Sequence, residues 1–369
     1  MARRRRRRGR RAAGRAGCGA GCARALLVLV VLAIVGAMFG LGSGGSGSGG
    51  SDAGTPDTAA TSAEVATAAD DASTGAATTA EADAATDDAA SDAATATTGQ
   101  PQGQLVVRFL DVGQGDAIVF EFPDGKTLVV DAGRDGAAKV NETLAADGRQ
   151  GIDWLVATHP DADHIGGMPG VIQANDVRSV WAPYANSSTR TYTRFLEAVA
   201  SKGLSIDAAY AGERIAEGEG YAIDILWPPD GASYEDTNDY SVVLLVTFGQ
   251  NTFLLAGDAP AEALERSVPG HVDVLKASHH GSASGTNVAV AQRTTPAIAI
   301  LSYGLDNSYG HPAQSVIDAL EGVGATIYGT GAMGTITVVT DGTHATTTTE
   351  RQGTVVAASE DAGSSSQNL

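Results

Sequence analysis

Residues 158–167, with the sequence THPDADHIGG, constrain what this chain can fold into more than any other stretch. Within six positions lie four side chains that can bind a metal ion: His159, Asp161, Asp163 and His164. An apolar run at residues 152–157 comes directly before them and predicts a buried strand that ends in a tight loop. Two imidazoles and two carboxylates this close would repel one another or lose hydration unless a cation lay between them. The stretch therefore predicts a metal site at the end of a strand.

The N-terminal part predicts a basic head and a membrane or signal segment. Residues 1–24 include a run of six arginines, and residues 25–41 follow without a charged side chain. This pattern is typical of a positive region that stays inside, followed by a segment that enters the membrane. Its seventeen residues lie between the length of a signal-peptide core and that of a spanning helix, so cleavage stays open. No Ala-x-Ala site follows, which favours an uncleaved anchor with the rest of the chain outside the membrane.

The remainder predicts a linker, one domain and a tail. Residues 42–103 are rich in Gly and Ser, then in Ala, Thr and Asp, with ten acidic residues and no Lys or Arg. Such a segment cannot bury enough apolar surface to fold, which predicts a disordered linker. Residues 104–356 predict one globular domain, and residues 357–369 a loose tail. The domain has no cysteine, which excludes disulfides and a thiolate zinc site within it.

The domain predicts a mixed α/β (α+β) fold, because apolar alternation and helical patterns follow one another along it. The predicted strands are residues 105–110, 117–122, 127–130, 152–157, 177–181, 222–227, 241–248, 252–256, 272–275, 297–302, 335–340 and 344–349. The predicted helices are residues 137–146, 166–173, 191–202, 260–266, 287–292 and 312–320. Opening hairpins followed by mixed strands and helices indicate two packed sheets with helices outside.

Six separated motifs carry a family resemblance. They are residues 111–116 (DVGQGD), 131–133 (DAG), 159–164 (HPDADH), 255–258 (LAGD), 276–282 (KASHHGS) and 307–312 (NSYGHP). In this order they resemble the metallo-β-lactamase-fold hydrolases, and among these the C-terminal hydrolase domain of ComEC-type DNA-uptake proteins. The resemblance covers residues 105–340 and implies an αββα sandwich with two divalent metal ions at one edge.

The resemblance also implies a set of metal ligands. His159 and Asp161 would hold one ion, Asp163 and His164 the other, Asp258 would bridge them, and His279 and His311 would complete the two shells. Asp161 stands where the wider superfamily has a second histidine, and this extra carboxylate favours manganese over zinc without deciding between them. No histidine lies between residues 164 and 258, so the third protein ligand of the first ion stays open between His279 and Asp239.

Other residues have two interpretations each. Asp131 caps a turn or orients a metal-binding imidazole. Asp116 makes a turn or contacts substrate. Lys276 lies on a strand expected to be buried, where an unpaired ammonium is unfavourable, so its partner is a carboxylate or a substrate anion. A catalytic role follows for Lys276 if it stabilises the developing negative charge.

Further side chains are candidates for proton transfer or substrate binding. His280 binds metal or protonates the leaving group, and Asp163 has a catalytic role through the ion that it holds. Ser282 is a candidate hydrogen-bond donor to substrate oxygen. Asn307 and Tyr309 are substrate-binding candidates on an exposed loop, or ordinary loop residues.

Charge limits the functional prediction. The resemblance implies phosphodiester cleavage, with DNA as the substrate. Residues 105–369 contain 33 acidic and 14 basic side chains, and such a surface repels nucleic acid unless the site is locally positive. A small phosphodiester, another phosphate ester or a lactone stays open as substrate, as does a non-catalytic binding module on the same fold. The sequence identifies no protein partner.

Overall fold

The structure, a computed structural model, describes residues 101–149 and 151–358. The predicted basic head, the membrane or signal segment and the linker up to residue 100 lie outside the described residues, as do residues 359–369 of the tail. In the described part of the chain, no helix combines the length and the apolar character needed to cross a bilayer.

Fifteen strands are present in the described residues. In chain order they are β1 (Leu105–Phe109), β2 (Ile118–Glu121), β3 (Thr127–Val130), β4 (Gly151–Val156), β5 (Asp176–Ala182), β6 (Ile206–Ala208), β7 (Arg214–Gly218), β8 (Tyr221–Trp227), β9 (Val243–Phe248), β10 (Asn251–Leu255), β11 (Val274–Lys276), β12 (Ile298–Leu301), β13 (Thr326–Gly329), β14 (Ile336–Thr340) and β15 (Ala345–Thr349). The first sheet has the order β15-β14-β1-β2-β3-β4-β5-β6, and the second has the order β13-β12-β11-β10-β9-β8-β7.

Helices cover the outer faces of both sheets. They are α1 (Ala137–Ala146), α2 (Ala162–Ile165), α3 (Met168–Ala174), α4 (Arg190–Ser201), α5 (Ala261–Ser267), α6 (Val288–Thr294), α7 (Gln314–Glu321) and α8 (Thr330–Met333), with 3-10 turns at Asn238–Tyr240 and Ser278–Gly281. Helices α1, α3 and α4 pack on the first sheet, and α5, α6 and α7 on the second.

The period of two along the strands produces this layering. In β10, Phe253 and Leu255 enter the core between the sheets, whereas Leu254 packs under the helices. Leu128 and Val129 of β3 divide in the same way between the inner core and the helix layer. Alternate side chains of one strand point to opposite faces, so a strand with successive apolar residues must be covered on both sides. The predicted αββα sandwich is confirmed.

Two runs of parallel strands locate the site. Strands β3, β4 and β5 are parallel neighbours in the first sheet, and β10, β11 and β12 in the second. The carboxyl ends of parallel strands meet at one edge of a sheet, where the following loops gather their side chains. Asp131 follows β3, the loop from residue 157 follows β4, and Asp258 comes three residues after β10.

The structure corrects several predicted boundaries. The helix predicted from residue 166 begins at Met168, and the one predicted from residue 312 begins at Gln314. The metal-binding loop contains one helical turn, α2, which was predicted as loop. Strands β6, β7 and β13 were not predicted. In β7 only Ile215 is buried, so no clear apolar alternation marks it.

Candidate metal centre

The loop after β4 is anchored to the end of β3. Asp131 accepts hydrogen bonds from the Thr158 backbone N–H (2.9 Å) and from the Thr158 hydroxyl (2.7 Å). Its second oxygen also lies 2.7 Å from His164 Nδ1. A carboxylate only accepts hydrogen bonds, so this contact places the proton of His164 on Nδ1 and leaves the Nε2 lone pair pointing into the centre. Of the two interpretations of Asp131, the structure supports the one in which it orients a ring.

His280 is held in the same way from the second sheet. It lies in the 3-10 turn after β11, and both His279 and His280 have left-handed backbone angles, with φ of 52° and 56°. His280 Nδ1 is 2.9 Å from the backbone oxygen of Ser302, which can only accept. Nε2 of His280 therefore faces inward, 3.3 Å from His164 Nε2 and 3.4 Å from Asp163 Oδ2.

His159 is the third ring with an inward lone pair. Its Nδ1 is 3.1 Å from the Thr158 hydroxyl oxygen, whose own proton is donated to Asp131, and 3.3 Å from Ser241 Oγ. Nε2 of His159 is buried without a hydrogen-bond partner. A buried polar atom left unpaired is unfavourable by roughly 1–3 kcal/mol, so such atoms point to a missing partner.

Asp258 lies between the rings. Its Oδ1 is 3.3 Å from His164 Nε2, and its Oδ2 is 3.4 Å from His280 Nε2 and 3.9 Å from His159 Nε2. Its Oδ1 also has no hydrogen-bond partner. We refer to these five residues together as the His/Asp cluster: His159, Asp163, His164, Asp258 and His280.

The electrostatics of the His/Asp cluster favour positive charge at its centre. Burial alone would lower the pKa of His164 and of His280, but the carboxylates around them, Asp258 foremost, raise both values well above 6.5. Burial together with the neighbouring His164 lowers the pKa of His159 to about 4, which keeps that ring neutral. Burial would raise the pKa of Asp258, yet His164 and His280 hold it well below its usual value. The pocket therefore attracts either protons or a cation.

The geometry fits bound metal ions. Among the described residues, four sets of three side chains bring ligand atoms within 4.8 Å of one another. Two of these sets lie inside the cluster: His159–His164–Asp258 and Asp163–His164–His280. The other two sets include Asp116 or Asp131. Asp116 Oδ2 is already paired with Lys276, and both oxygens of Asp131 accept hydrogen bonds from Thr158. Imidazole nitrogen and carboxylate oxygen suit zinc and manganese alike, because these are borderline to hard donors.

Three of the predicted metal ligands, Asp161, His279 and His311, lie at the periphery of the His/Asp cluster. Asp161 Oδ2 is 3.8 Å from His159 Nε2, and its Oδ1 accepts a hydrogen bond from Thr237. His279 Nε2 is 3.7 Å from Asp258 Oδ2. The half-buried His311 packs edge-on against His279 with ring centroids 5.5 Å apart, and its Nδ1 has no hydrogen-bond partner. In the described part of the chain none of the three belongs to a set of ligand atoms within 4.8 Å.

Asp239, the alternative third ligand, is in no such set among the described residues. Its backbone oxygen accepts a hydrogen bond from the Trp227 indole, 2.8 Å away, which ties the turn at Asn238–Tyr240 to β8. Of the two roles predicted for His280, metal ligand or proton donor, its place among the ligand atoms of the cluster favours the first. Two adjacent histidines give no sequence signal that tells which one turns inward.

Lys276 and Asp116 lie beneath the centre. Lys276 Nζ is 2.9 Å from Asp116 Oδ2, and the two residues are 0% and 1% exposed. The expected carboxylate partner of Lys276 is therefore Asp116. Direct contact of either side chain with substrate does not fit these positions, because neither reaches the surface.

The predicted substrate-binding residues on the open side differ in what they can do. Tyr309 is 61% exposed and stacks on His311 with centroids 5.9 Å apart. Ser282 is half-buried, with its hydroxyl 3.0 Å from that of Ser284. The Asn307 amide donates to the backbone oxygens of Gly304 and His311 and accepts from two backbone N–H groups. Asn307 therefore shapes the loop, while Tyr309 and Ser282 remain accessible.

Sequence reasoning missed the groups that hold the rings. Thr158 and Ser241 contact His159, and the Ser302 carbonyl fixes His280. Thr158 lies next to the first histidine, which is a usable signal. Ser241 and Ser302 have no such signal, since their roles depend on folding across sequence separations of 82 and 22 residues.

Residues 110–304 match the Metallo-beta-lactamase superfamily. The chain is 29% identical over 255 residues to ComE operon protein 3 of Bacillus subtilis, covering 62% of this chain and 32% of that protein. It is 30% identical over 236 residues to Recombination protein 2 of Haemophilus influenzae, covering 62% and 28%. The chain thus spans about a third or less of the length of these relatives. Among solved structures, the metallo-beta-lactamase fold protein YhfI of Bacillus subtilis aligns with a TM-score of 0.43 at 13% identity, covering 61% of this chain and 96% of that one.

Proposed function

This chain belongs to the metallo-beta-lactamase superfamily, and on that premise we propose that it is a dinuclear metallohydrolase that cleaves phosphodiester bonds, with DNA as its substrate. One observation supports the proposal above the others. The three rings of the His/Asp cluster each have Nδ1 engaged outward and Nε2 directed inward around Asp258. Three lone pairs and two carboxylates around one point form a binding site for cations.

The two ions would share the cluster. We propose that His159 and Asp161 hold one, that Asp163, His164 and His280 hold the other, and that Asp258 lies between them, with His279 and His311 as outer ligands. Manganese or zinc, when bound, would lower the pKa of a water molecule and neutralise charge on the attacked phosphate.

The chain's own residues would supply position and proton control. Asp131 and the Ser302 carbonyl fix the His164 and His280 rings, so that no rotation is needed when a ligand arrives. His280 has both nitrogens committed, Nδ1 to the Ser302 carbonyl and Nε2 to the cluster, so it would act as a ligand and not as the proton donor to a leaving oxygen. Tyr309 and Ser282 would contact the substrate.

Two considerations bear on the substrate. The names of the relatives, a recombination protein and a competence protein ComA of Neisseria gonorrhoeae with 26% identity, support a substrate among nucleic acids. The formal charge of −19 favours the second candidate, a small phosphodiester, because a long polyanion is repelled over a larger area. We propose DNA first, with binding confined to the cationic pocket.

The proposed location is at a membrane. The arginine-rich head and the apolar segment at residues 25–41 support an anchor, with the domain outside the membrane or secreted.

We expect the full-length chain to cleave linear single- or double-stranded DNA when manganese is added, and to lose this activity on chelation. Loss of a group outside the metal shell lowers activity by about 10–100-fold. Asp163→Ala is expected to lower the rate of DNA cleavage by more than this, because Asp163 contacts His280 directly. Gel electrophoresis of labelled DNA measures both.

Asp176→Ala, which removes an exposed aspartate of β5, is the matched control and should cleave as the parent does. A parent chain that leaves DNA intact but hydrolyses a chromogenic diester would replace DNA by the small phosphodiester. A chain that hydrolyses neither substrate and binds no metal would support the binding module instead.

A further inference from the structure

We propose that Lys276 and Asp116 form a buried positioning pair that holds the metal-binding loops of the two sheets together, with Lys276 acting through Asp116 and never touching substrate. The proposal rests on the metal centre proposed above but not on its substrate.

Lys276 is placed where an apolar side chain would ordinarily lie. It ends β11, after Val274 and Leu275, and is 0% exposed. Its ammonium has two contacts of 2.9 Å, one with Asp116 Oδ2 and one with the backbone oxygen of Ala277. Burying an ammonium is unfavourable even when it is paired, and apolar replacements of buried ion pairs are often as stable. Stability alone is therefore a weak reason for this pair.

Asp116 contacts three of the loops that carry the centre. Its backbone N–H donates to the backbone oxygen of Asp163 over 3.1 Å, and its backbone oxygen accepts from Gly133, two residues after Asp131, over 2.7 Å. Its Oδ1 is 3.5 Å from His280 Nδ1 and has no hydrogen-bond partner. A negative charge at this place favours the proton on His280 Nδ1, and so keeps Nε2 available to the centre.

The backbone before Asp116 is packed tightly against the backbone of Asp163. Gly115, with φ of +134°, comes so close that an added Cβ would lie 2.1 Å from the Asp163 backbone oxygen. A shift of Asp116 would therefore move the Asp163 loop as well.

The pair also joins the two sheets. Asp116 lies between β1 and β2 of the first sheet, and Lys276 belongs to the second. The cluster is divided in the same way, with His159, Asp163 and His164 from the first sheet and Asp258 and His280 from the second. The Lys276–Asp116 ion pair joins the same two sheets that the bound metal ions would join. It therefore fixes the spacing of the metal ligands before the metal ions bind.

The first test is Lys276→Met in the full-length chain. We expect manganese affinity, measured by competition with a chelator, to fall by at least about tenfold, in the range found for groups that orient metal ligands. The visible spectrum of the cobalt-substituted protein should change as well, because ligand geometry changes. An affinity and a spectrum equal to those of the parent would overturn the proposal.

Lys276→Met also leaves Asp116 buried without its partner, so unfolding could account for a loss of affinity. The double variant Lys276→Met/Asp116→Asn removes both charges and is expected to regain thermal stability while manganese affinity stays at least about tenfold below that of the parent. If the double variant binds manganese as the parent does, the pair only stabilises the fold and the proposal fails.

Arg108→Met is the matched control. It breaks the Arg108–Glu121 ion pair, in which Glu121 is 4% exposed, on the part of the first sheet that joins β1 and β2. We expect a loss of thermal stability with manganese affinity unchanged, and an equal loss of affinity in this control would overturn the proposal because any weakened sheet would then do the same.

Kinetics separate positioning from substrate contact. In Lys276→Met, kcat for DNA cleavage should fall with KM for DNA unchanged, and a rise in KM alone would assign Lys276 to the substrate and overturn the proposal. The metal and spectral measurements need no turnover. A parent chain that binds manganese yet cleaves no DNA therefore contradicts the proposed function and leaves this test intact.

Discussion

Asp258→Asn is expected to abolish metal binding and DNA cleavage together. Asp258 is 4% exposed, and its two oxygens lie 3.3 to 3.9 Å from nitrogen atoms of four histidines: His159, His164, His279 and His280. The substitution keeps the shape and removes the negative charge that attracts cations to the pocket. We expect manganese affinity to fall by more than about 100-fold, beyond the range for groups outside the first shell. Elemental analysis and the DNA assay measure the two effects.

The same substitution has a second consequence that metal-free protein reveals. Asp258 is the first electrostatic cause of the raised pKa of His164 and of His280. Without it, both pKa values should fall toward 6.5 or below, which NMR of the imidazole protons measures. Asp176→Asn, on the exposed surface of β5, should change neither ion content nor pKa. If Asp258→Asn retains both metal ions, the proposed position of Asp258 between the two ions is refuted.

His280→Ala is expected to lose one of the two ions and nearly all cleavage. Its Nε2 faces Asp163, His164 and Asp258 at 3.3 to 3.4 Å, while Nδ1 is held by the Ser302 carbonyl. We therefore propose His280 as a metal ligand, since the Nε2 of a ring held in this way points at the cluster. Elemental analysis of the variant, beside its cleavage rate, measures the outcome.

The other role of His280, protonation of the leaving group, predicts a different result. A proton donor could be removed with both ions retained, and the alkaline limb of the pH–rate profile would then be lost. That combination would contradict the assignment made here. His271→Ala is the matched control: this histidine is 60% exposed beside Asp273 and belongs to none of the six motifs, and both ion content and rate should be those of the parent.

The fold was predictable because its main signals are local. The successive apolar residues 253–255 of β10 required cover on both faces, and the apolar run ending at residue 157 placed a loop of ligands at a strand end. The edge strand β7 carried no such signal, since it buries only Ile215 and owes its strand form to pairing with β8. Pairing between strands is tertiary, and a sequence pattern does not contain it.

The sequence predicted which residues form the site better than it predicted how they are arranged. Asp258 and the residues at 159–164 stand in recognisable motifs, and the structure gathers them. The choice between His279 and His280 depended on two left-handed backbone angles and on the Ser302 carbonyl, none of which a motif specifies. The pairing of Lys276 with Asp116 joins residues 160 positions apart on different sheets, so the sequence could predict only that a partner exists.

The metal content of the full-length chain is the most direct test of the proposed two-metal centre. After purification, saturation with manganese or zinc and removal of excess ion by gel filtration, elemental analysis should give about two ions per chain, as two-metal hydrolases hold. Fewer than about one ion per chain under saturating supply of either metal would contradict the proposed centre, because the inward-facing imidazole nitrogens of the His/Asp cluster would then not bind metal.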